Sequence, residues 1–309
     1  MKIIFDTDPG IDDAMALLYL HACSDLSLLG ITTTPGNANL ENCTNNALFL
    51  SEQFGITAPV FRGREEAING KPPVEYPDFV HGENGLGDID VKVSYRTTES
   101  MAATEALIKL AKQHSGELTI IAVGRLTNIA LAIQADDEFA NNIERIVFMG
   151  GAYQCEGNVT PFAEANIAGD PEAAQIVFGS GIPLTMVGLD VTMQTRLSSN
   201  RLNVIADASG TLASLLLTIN HVYAKYYLGN QGWDAIPVHD SSAVACTAMP
   251  DLFKTQAGRL NCVLEGDERG RTLLSPGDGV HLVCVGVDSE AMLQHYQDCV
   301  TAGRPLWDK

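Results

Sequence analysis

The sequence predicts an α/β protein built on a mostly parallel central sheet flanked by helices. Three observations predict it. Short β-rich runs alternate along the chain with stretches of helical period, the mark of strands joined by crossover helices. Most of those runs are continuously apolar, as strands covered on both faces are. The 309 residues are 46% hydrophobic and 18% charged, which leaves ample apolar surface for a core.

Taken in order, Ile3-Ile4-Phe5 reads as a buried strand, and Ala14, Leu17, Leu18 and Leu20 give residues 12–23 a helical period. Residues 28–33 form a second strand, 40–54 a helix, and Pro59-Val60-Phe61 a short third strand. Residues 62–98 are rich in Gly, Pro and charge without a clear period, and loops of that length usually serve a function or move. A helix over 100–114, a strand over 118–123, a helix over 127–135 and a strand over 146–149 follow. Residues 150–169 read as irregular. Asp170-Pro171-Glu172 then opens a helix, with an N-cap acid, proline at the first helical position and a carboxylate in the positive first turn. A strand spans 183–187, helical segments dominate 199–248, and β-like runs near 258–264, 271–275 and 280–287 precede a final helix. Internal repeats, low-complexity tracts and linkers do not stand out. The prediction is a single domain over 1–309, a Rossmann-like open sheet with a helical subregion.

The formal net charge is −19. A surface so acidic repels phosphate backbones and anionic lipids, which disfavours nucleic-acid and membrane partners and leaves a small neutral substrate or a cation. The sequence offers neither a signal-peptide pattern nor a run of about 18 apolar residues. Seven cysteines (Cys23, Cys43, Cys155, Cys246, Cys262, Cys284 and Cys299) form no C-x-x-C pair, and several sit in apolar runs. Reduced, buried thiols in a cytoplasmic protein are the expectation.

The densest chemistry lies in Asp6-Thr7-Asp8-Pro9-Gly10-Ile11-Asp12-Asp13, four carboxylates in eight residues between the first strand and the first helix. Ligands of open α/β sheets bind outside the carboxyl ends of strands. Carboxylates converging there repel one another unless a hard cation such as Ca²⁺ or Mg²⁺ sits among them. N-capping explains one of the four, not all. The strand-D-x-D pattern also fits a phosphotransferase of the haloacid dehalogenase type, with Asp6 as nucleophile. Farther on, Asn158, Glu164 and Asn166 lie in the irregular stretch, where such side chains read hydroxyls or simply form turns. Val238-His239-Asp240 opens a helix: Asp240 is a plain cap or a ligand, and His239 a packed ring or a proton donor.

Together these segments resemble the nucleoside hydrolase family. Its signature D-x-D-P-G-x-D-D is residues 6–13 here. In the family's order follow Thr32-Thr33-Thr34-Pro35-Gly36-Asn37, His81-Gly82-Glu83-Asn84-Gly85, Leu126-Thr127-Asn128-Ile129-Ala130, Ala163-Glu164-Ala165-Asn166-Ile167, Gly188-Leu189-Asp190-Val191-Thr192 and Val238-His239-Asp240. The resemblance implies a ribonucleoside hydrolase that cuts the N-glycosidic bond with a Ca²⁺-bound water, and a homo-oligomer, dimer or tetramer. It implies Asp8, Asp13, Asp240 and the Val123 carbonyl as Ca²⁺ ligands, with Asp8 also the base. It implies Asp12, Asn37, Asn158, Glu164 and Asn166 on the ribose, His239 as leaving-group acid, and His81 near the base. Two positions depart from the pattern. Ala165 stands where a bulky aromatic is expected, and Arg125 replaces a small residue or proline and reads as a surface variation. Tyr223, Tyr226, Tyr227 and Trp233 are offered for base stacking, although aromatics at helical spacing are more often core.

Overall fold

The computed structural model describes residues 1–71, 75–93, 95–277 and 279–307. Its strands are β1 (Lys2–Thr7), β2 (Ser27–Thr33), β3 (Val60–Arg62), β4 (Leu118–Ala122), β5 (Ile143–Met149), β6 (Leu184–Val187), β7 (Arg196–Ser198), β8 (Ala235–Pro237), β9 (Phe253–Cys262), β10 (Thr272–Pro276) and β11 (His281–Val287). The helices are α1 (Ile11–Ala22), α2 (Leu40–Phe54), α3 (Asp78–His81), α4 (Ala103–Gln113), α5 (Thr127–Ala135), α6 (Phe139–Asn142) and α7 (Ala165–Gly169). They continue with α8 (Pro171–Gly179), α9 (Leu189–Thr192), α10 (Ser199–Ala208), α11 (Ala213–Gln231), α12 (His239–Ala248) and α13 (Ser289–Gly303).

Nine strands form one sheet in the order β10-β9-β11-β6-β5-β4-β1-β2-β3. Every pairing from β11 across to β3 is parallel, and β9 joins β10 and β11 antiparallel. The chain runs outward from β1 through β2 to β3, then returns to β4 on the other side of β1. This is the strand order 3-2-1-4-5-6 of doubly wound sheets, whose switch point opens a crevice at the carboxyl ends of the two central strands. The acidic segment leaves β1 at that crevice, and Val123 leaves β4 beside it. The central strands are buried on both faces because helices cover both. Phe5 and Ile31 pack with α1, α12 and α13, and Ile4, Ile120 and Phe148 with α5 and α8.

Several expectations shift. Residues 150–169 include the five-residue helix α7, and 62–98 include the single turn α3. Within the stretch read as helical, Ala235–Pro237 is a strand, paired antiparallel with Arg196–Ser198. A three-residue strand with a distant partner leaves no periodicity to read. Among the described residues, no helix is long and apolar enough to cross a membrane. The thiols are not uniformly buried: Cys155 is exposed and Cys299 half-buried.

Candidate active site

Local chemistry fixes the acidic loop. Thr7 donates its hydroxyl to Asp13 Oδ1 at 2.5 Å, and the Gly10 amide donates to Asp13 Oδ2 at 2.9 Å. Asn37 holds the loop from outside: its amide N–H reaches Asp8 Oδ2 at 2.9 Å, and its Nδ2 reaches Asp13 Oδ2 at 2.7 Å. Asp12 and Asp13 occupy the first turn of α1 and Asp240 that of α12, where aligned peptide dipoles favour negative charge. Two glycines make room for Asp8. A Cβ at Gly36 would lie 1.9 Å from its carboxylate, and one at Gly124 would lie 2.7 Å away.

The result is a crowd of buried acids. Asp8, Asp12, Asp13 and Asp240 are between 1% and 7% exposed. Carboxylate oxygens of Asp12, Asp13 and Asp240 lie within 4.8 Å of one another. Burial, then Asp13, pushes the Asp8 carboxyl well above the usual carboxylate range, with Arg125 pulling the other way. Burial, then Asp12 and Asp13, does the same to Asp240. Asp8 Oδ1 and Asp12 Oδ1 are buried without a hydrogen-bond partner among the described residues. Clustered oxygen donors with orphaned lone pairs are what a hard cation requires, so these residues fit one.

Aromatic and imidazole side chains share a cavity with the acids. His239 begins α12, with Nδ1 2.8 Å from the Thr192 hydroxyl and Nε2 3.3 Å from the Tyr227 hydroxyl. Burial lowers its pKa to about 4, and burial with His239 nearby lowers that of His81 to about 3. His81 accepts from the Ile11 amide at 3.3 Å, and its ring centroid is 5.4 Å from that of Tyr223. Tyr223, Tyr226 and Tyr227 line the cavity; Trp233, outside the lining, stacks with Tyr227 at 5.9 Å and carries the Arg196 guanidinium over its ring at 4.0 Å.

This cavity has a volume of about 690 Å³, and a second of about 610 Å³ shares part of its lining. Asp12, His81, Val123, Glu164, His239 and Asp240 line the first, Asp8 lines the second, and Asn37, Asn158 and Asn166 line both. Of the residues to which the resemblance assigned a role in holding the ion, the ribose or the base, only Asp13 is absent from the lining of both cavities. Some of these side chains also hold backbone. Glu164 caps α7, accepting from the amides of Asn166 at 2.9 Å and Ile167 at 3.2 Å, and Asn158 accepts from Ala165 at 2.9 Å. Asn166 Nδ2 donates to the Val123 carbonyl at 2.8 Å, so that carbonyl already has one partner.

Arg125 is not the surface variation its position suggested. It lines the second cavity beside Asp8, and its Nε is buried without a hydrogen-bond partner among the described residues. Ala165 stands in the wall common to both cavities. Thr192, which anchors His239, was not singled out, though it ends the matched Gly188–Thr192 segment. Asp6 is fully buried, bound by Thr32 at 2.5 Å and Asn128 at 2.9 Å, and lines neither cavity. That argues against its serving as a phosphotransferase nucleophile.

A doubly wound sheet with a carboxylate-floored cavity at its switch point defines a class: α/β enzymes that grip a polar small molecule at the ends of β1 and β4. The comparisons narrow it. The family model described as "Inosine-uridine preferring nucleoside hydrolase" matches residues 3–294. Uridine nucleosidase 1 of Arabidopsis thaliana is 40% identical over 277 residues, 89% of this chain and 82% of that protein. The pyrimidine-specific ribonucleoside hydrolase RihB of Escherichia coli O9:H4 (strain HS) is 38% identical over 82% of this chain and 80% of its own. The solved purine-preferring ribonucleoside hydrolase of Gardnerella vaginalis superposes with a TM-score of 0.94 at 33% identity, covering 99% of this chain and 100% of that one. The chain belongs to the inosine-uridine preferring nucleoside hydrolase family, and it is a nucleoside hydrolase acting on ribonucleosides.

Proposed function

We propose that residues 1–309 act as one unit that hydrolyses ribonucleosides to ribose and free base with the help of Ca²⁺. Asp8, Asp13, Asp240 and the Val123 carbonyl would hold the ion, with Asp12 close enough to share it. When bound, Ca²⁺ supplies positive charge that orients water and the ribose diol. The observation that carries this reading is the convergence of buried carboxylates, two of them carrying unpaired oxygens, at a cavity that His239 also lines.

Asp8 serves as the base. Two glycines leave room for its carboxylate and the Asn37 amide fixes Oδ2, so Oδ1 remains to take a proton from water. Asp12, Asn37, Asn158, Glu164 and Asn166 hold ribose hydroxyls, since carboxylates accept and carboxamides both donate and accept. Anionic groups beneath the ring stabilise the oxocarbenium character that develops as the glycosidic bond breaks. His239 is the leaving-group acid and His81 borders the base. With a pKa of about 4, His239 is a neutral ring at pH 7. It therefore serves the departing base as a hydrogen-bond donor through a ring N–H, rather than as a standing imidazolium.

The relatives' names point to different bases; the two sequence relatives compared are named for uridine and for pyrimidines, and uridine satisfies both. Release of reducing sugar from inosine, adenosine, uridine and cytidine, with and without a calcium chelator, tests the reading. Uridine should be cleaved best, and chelation should abolish turnover. Cleavage of none of the four would overturn it. Turnover unaffected by chelation would remove the ion from the mechanism.

A further inference from the structure

Helix α1 carries donor groups at both ends. Its first turn holds Asp12 and Asp13, and its C-cap is Cys23, 3% exposed. The Cys23 sulfur lies 3.1 Å from that of Cys299 on α13. One turn earlier on α13, the His295 ring nitrogens lie 3.7 and 3.9 Å from the Cys299 sulfur. Donor atoms of all three residues fall within 4.8 Å of one another. His295 Nδ1 is 2.5 Å from the hydroxyl of Tyr19, which is buried in α1.

We propose that Cys23, His295 and Cys299 form a Zn²⁺ site that fastens α13 to α1. Two thiolates and an imidazole are a donor set that Zn²⁺ favours and a hard cation such as Ca²⁺ does not. Tetrahedral bonds of about 2.3 Å to sulfur and about 2.0 Å to nitrogen place S and N ~3.6 Å apart and two sulfurs ~3.8 Å apart. The His295–Cys299 spacing already matches. The two sulfurs need part by only ~0.7 Å to reach that geometry, and Cys299, half-buried, has room to turn. The i, i+4 spacing keeps His295 and Cys299 on one helix face. The Tyr19 hydroxyl holds one ring nitrogen and thereby orients the ring, as partners of metal-bound histidines do. Partial exposure of His295 and Cys299 leaves a fourth position to water.

The test uses the Ca²⁺-loaded enzyme, reduced and freed of transition metals, then incubated with Zn²⁺ or Co²⁺ and desalted in excess Ca²⁺. One equivalent of Zn²⁺ should remain per chain. Co²⁺ should give a thiolate charge-transfer absorption, and two fewer cysteines should react with an alkylating agent. Cys299→Ser should abolish all three signals, and His295→Gln should weaken Zn²⁺ retention at least tenfold. Nucleoside turnover by Cys299→Ser should stay within about twofold of the parent, so this result does not depend on which base is cleaved. Should Cys299→Ser not fold, His295→Gln carries the same measurements. Equal Zn²⁺ retention by parent and variant overturns the proposal, as does an absence of retained metal with all thiols reactive. Loss of two thiols without metal, restored by reductant and mapped to Cys23 and Cys299, would show a disulfide there instead and overturn it as well.

Discussion

The two ends of α1 present opposite solutions to placing reactive donors inside a fold. At the N-terminal end the donors are carboxylates, and burial pushes Asp8, Asp12 and Asp240 far above their usual range. Emptied of a cation, that end holds protons or strain. At the other end the donors are two thiols and an imidazole, and thiols pack as small apolar groups at little cost. The acidic end demands a cation, whereas the sulfur end only admits one. Donor chemistry, more than burial, separates them, since both lie largely out of solvent.

The sharpest way to break this comparison is at Asp8. Asp8→Asn should lower kcat on the order of 10⁴-fold, the upper range for loss of a general base, while leaving Zn²⁺ retention untouched. Steady-state kinetics with metal analysis on the same preparation decide it, and a matching loss of both would mean that the two ends of α1 are not independent. A smaller effect is expected at His239. His239→Ala should cost about 10²-fold in kcat with KM little changed, because the group acts as the bond breaks. A rise in KM alone would make His239 a binding residue instead.

The smallest effect is thermodynamic. Chelating Ca²⁺ should lower Tm more at about pH 8 than at about pH 6. The folded, ion-free cluster has carboxyl pKa values above those of the unfolded chain. Between the unfolded and folded values the native state binds more protons, so stability falls as pH rises through that window. The ion removes this dependence by replacing the protons. Calorimetry at the two pH values, with and without chelator, measures the difference; an equal drop at both would show that the acids are not coupled to the ion.

The parts of this molecule that were legible in the sequence are those written contiguously. Residues 6–13 announce their chemistry because four acids in eight residues have few other uses, and the alternating periods gave the sheet. Asn158, Glu164 and Asn166 were visible as candidates, but not their second task of holding the backbone of α7 and the Val123 carbonyl. Arg125 looked superficial because its contact with the crevice depends on Gly169, which leaves space for its side chain. The β7–β8 pair and the Cys23–Cys299 approach join positions remote in the chain, and no local pattern encodes such meetings. Thr192 was hidden for the same reason: its role exists only once α12 brings His239 against it.

The central position of β1 also bears on biosynthesis. Asp8, Asp12 and Asp13 emerge early from the ribosome, but Asp240 is added only after most of the chain exists. At about 5–20 residues per second, the growing chain spends many seconds with an incomplete ligand set. Half-made protein should therefore bind calcium poorly, and capture of the ion should mark the closing stage of maturation rather than its beginning.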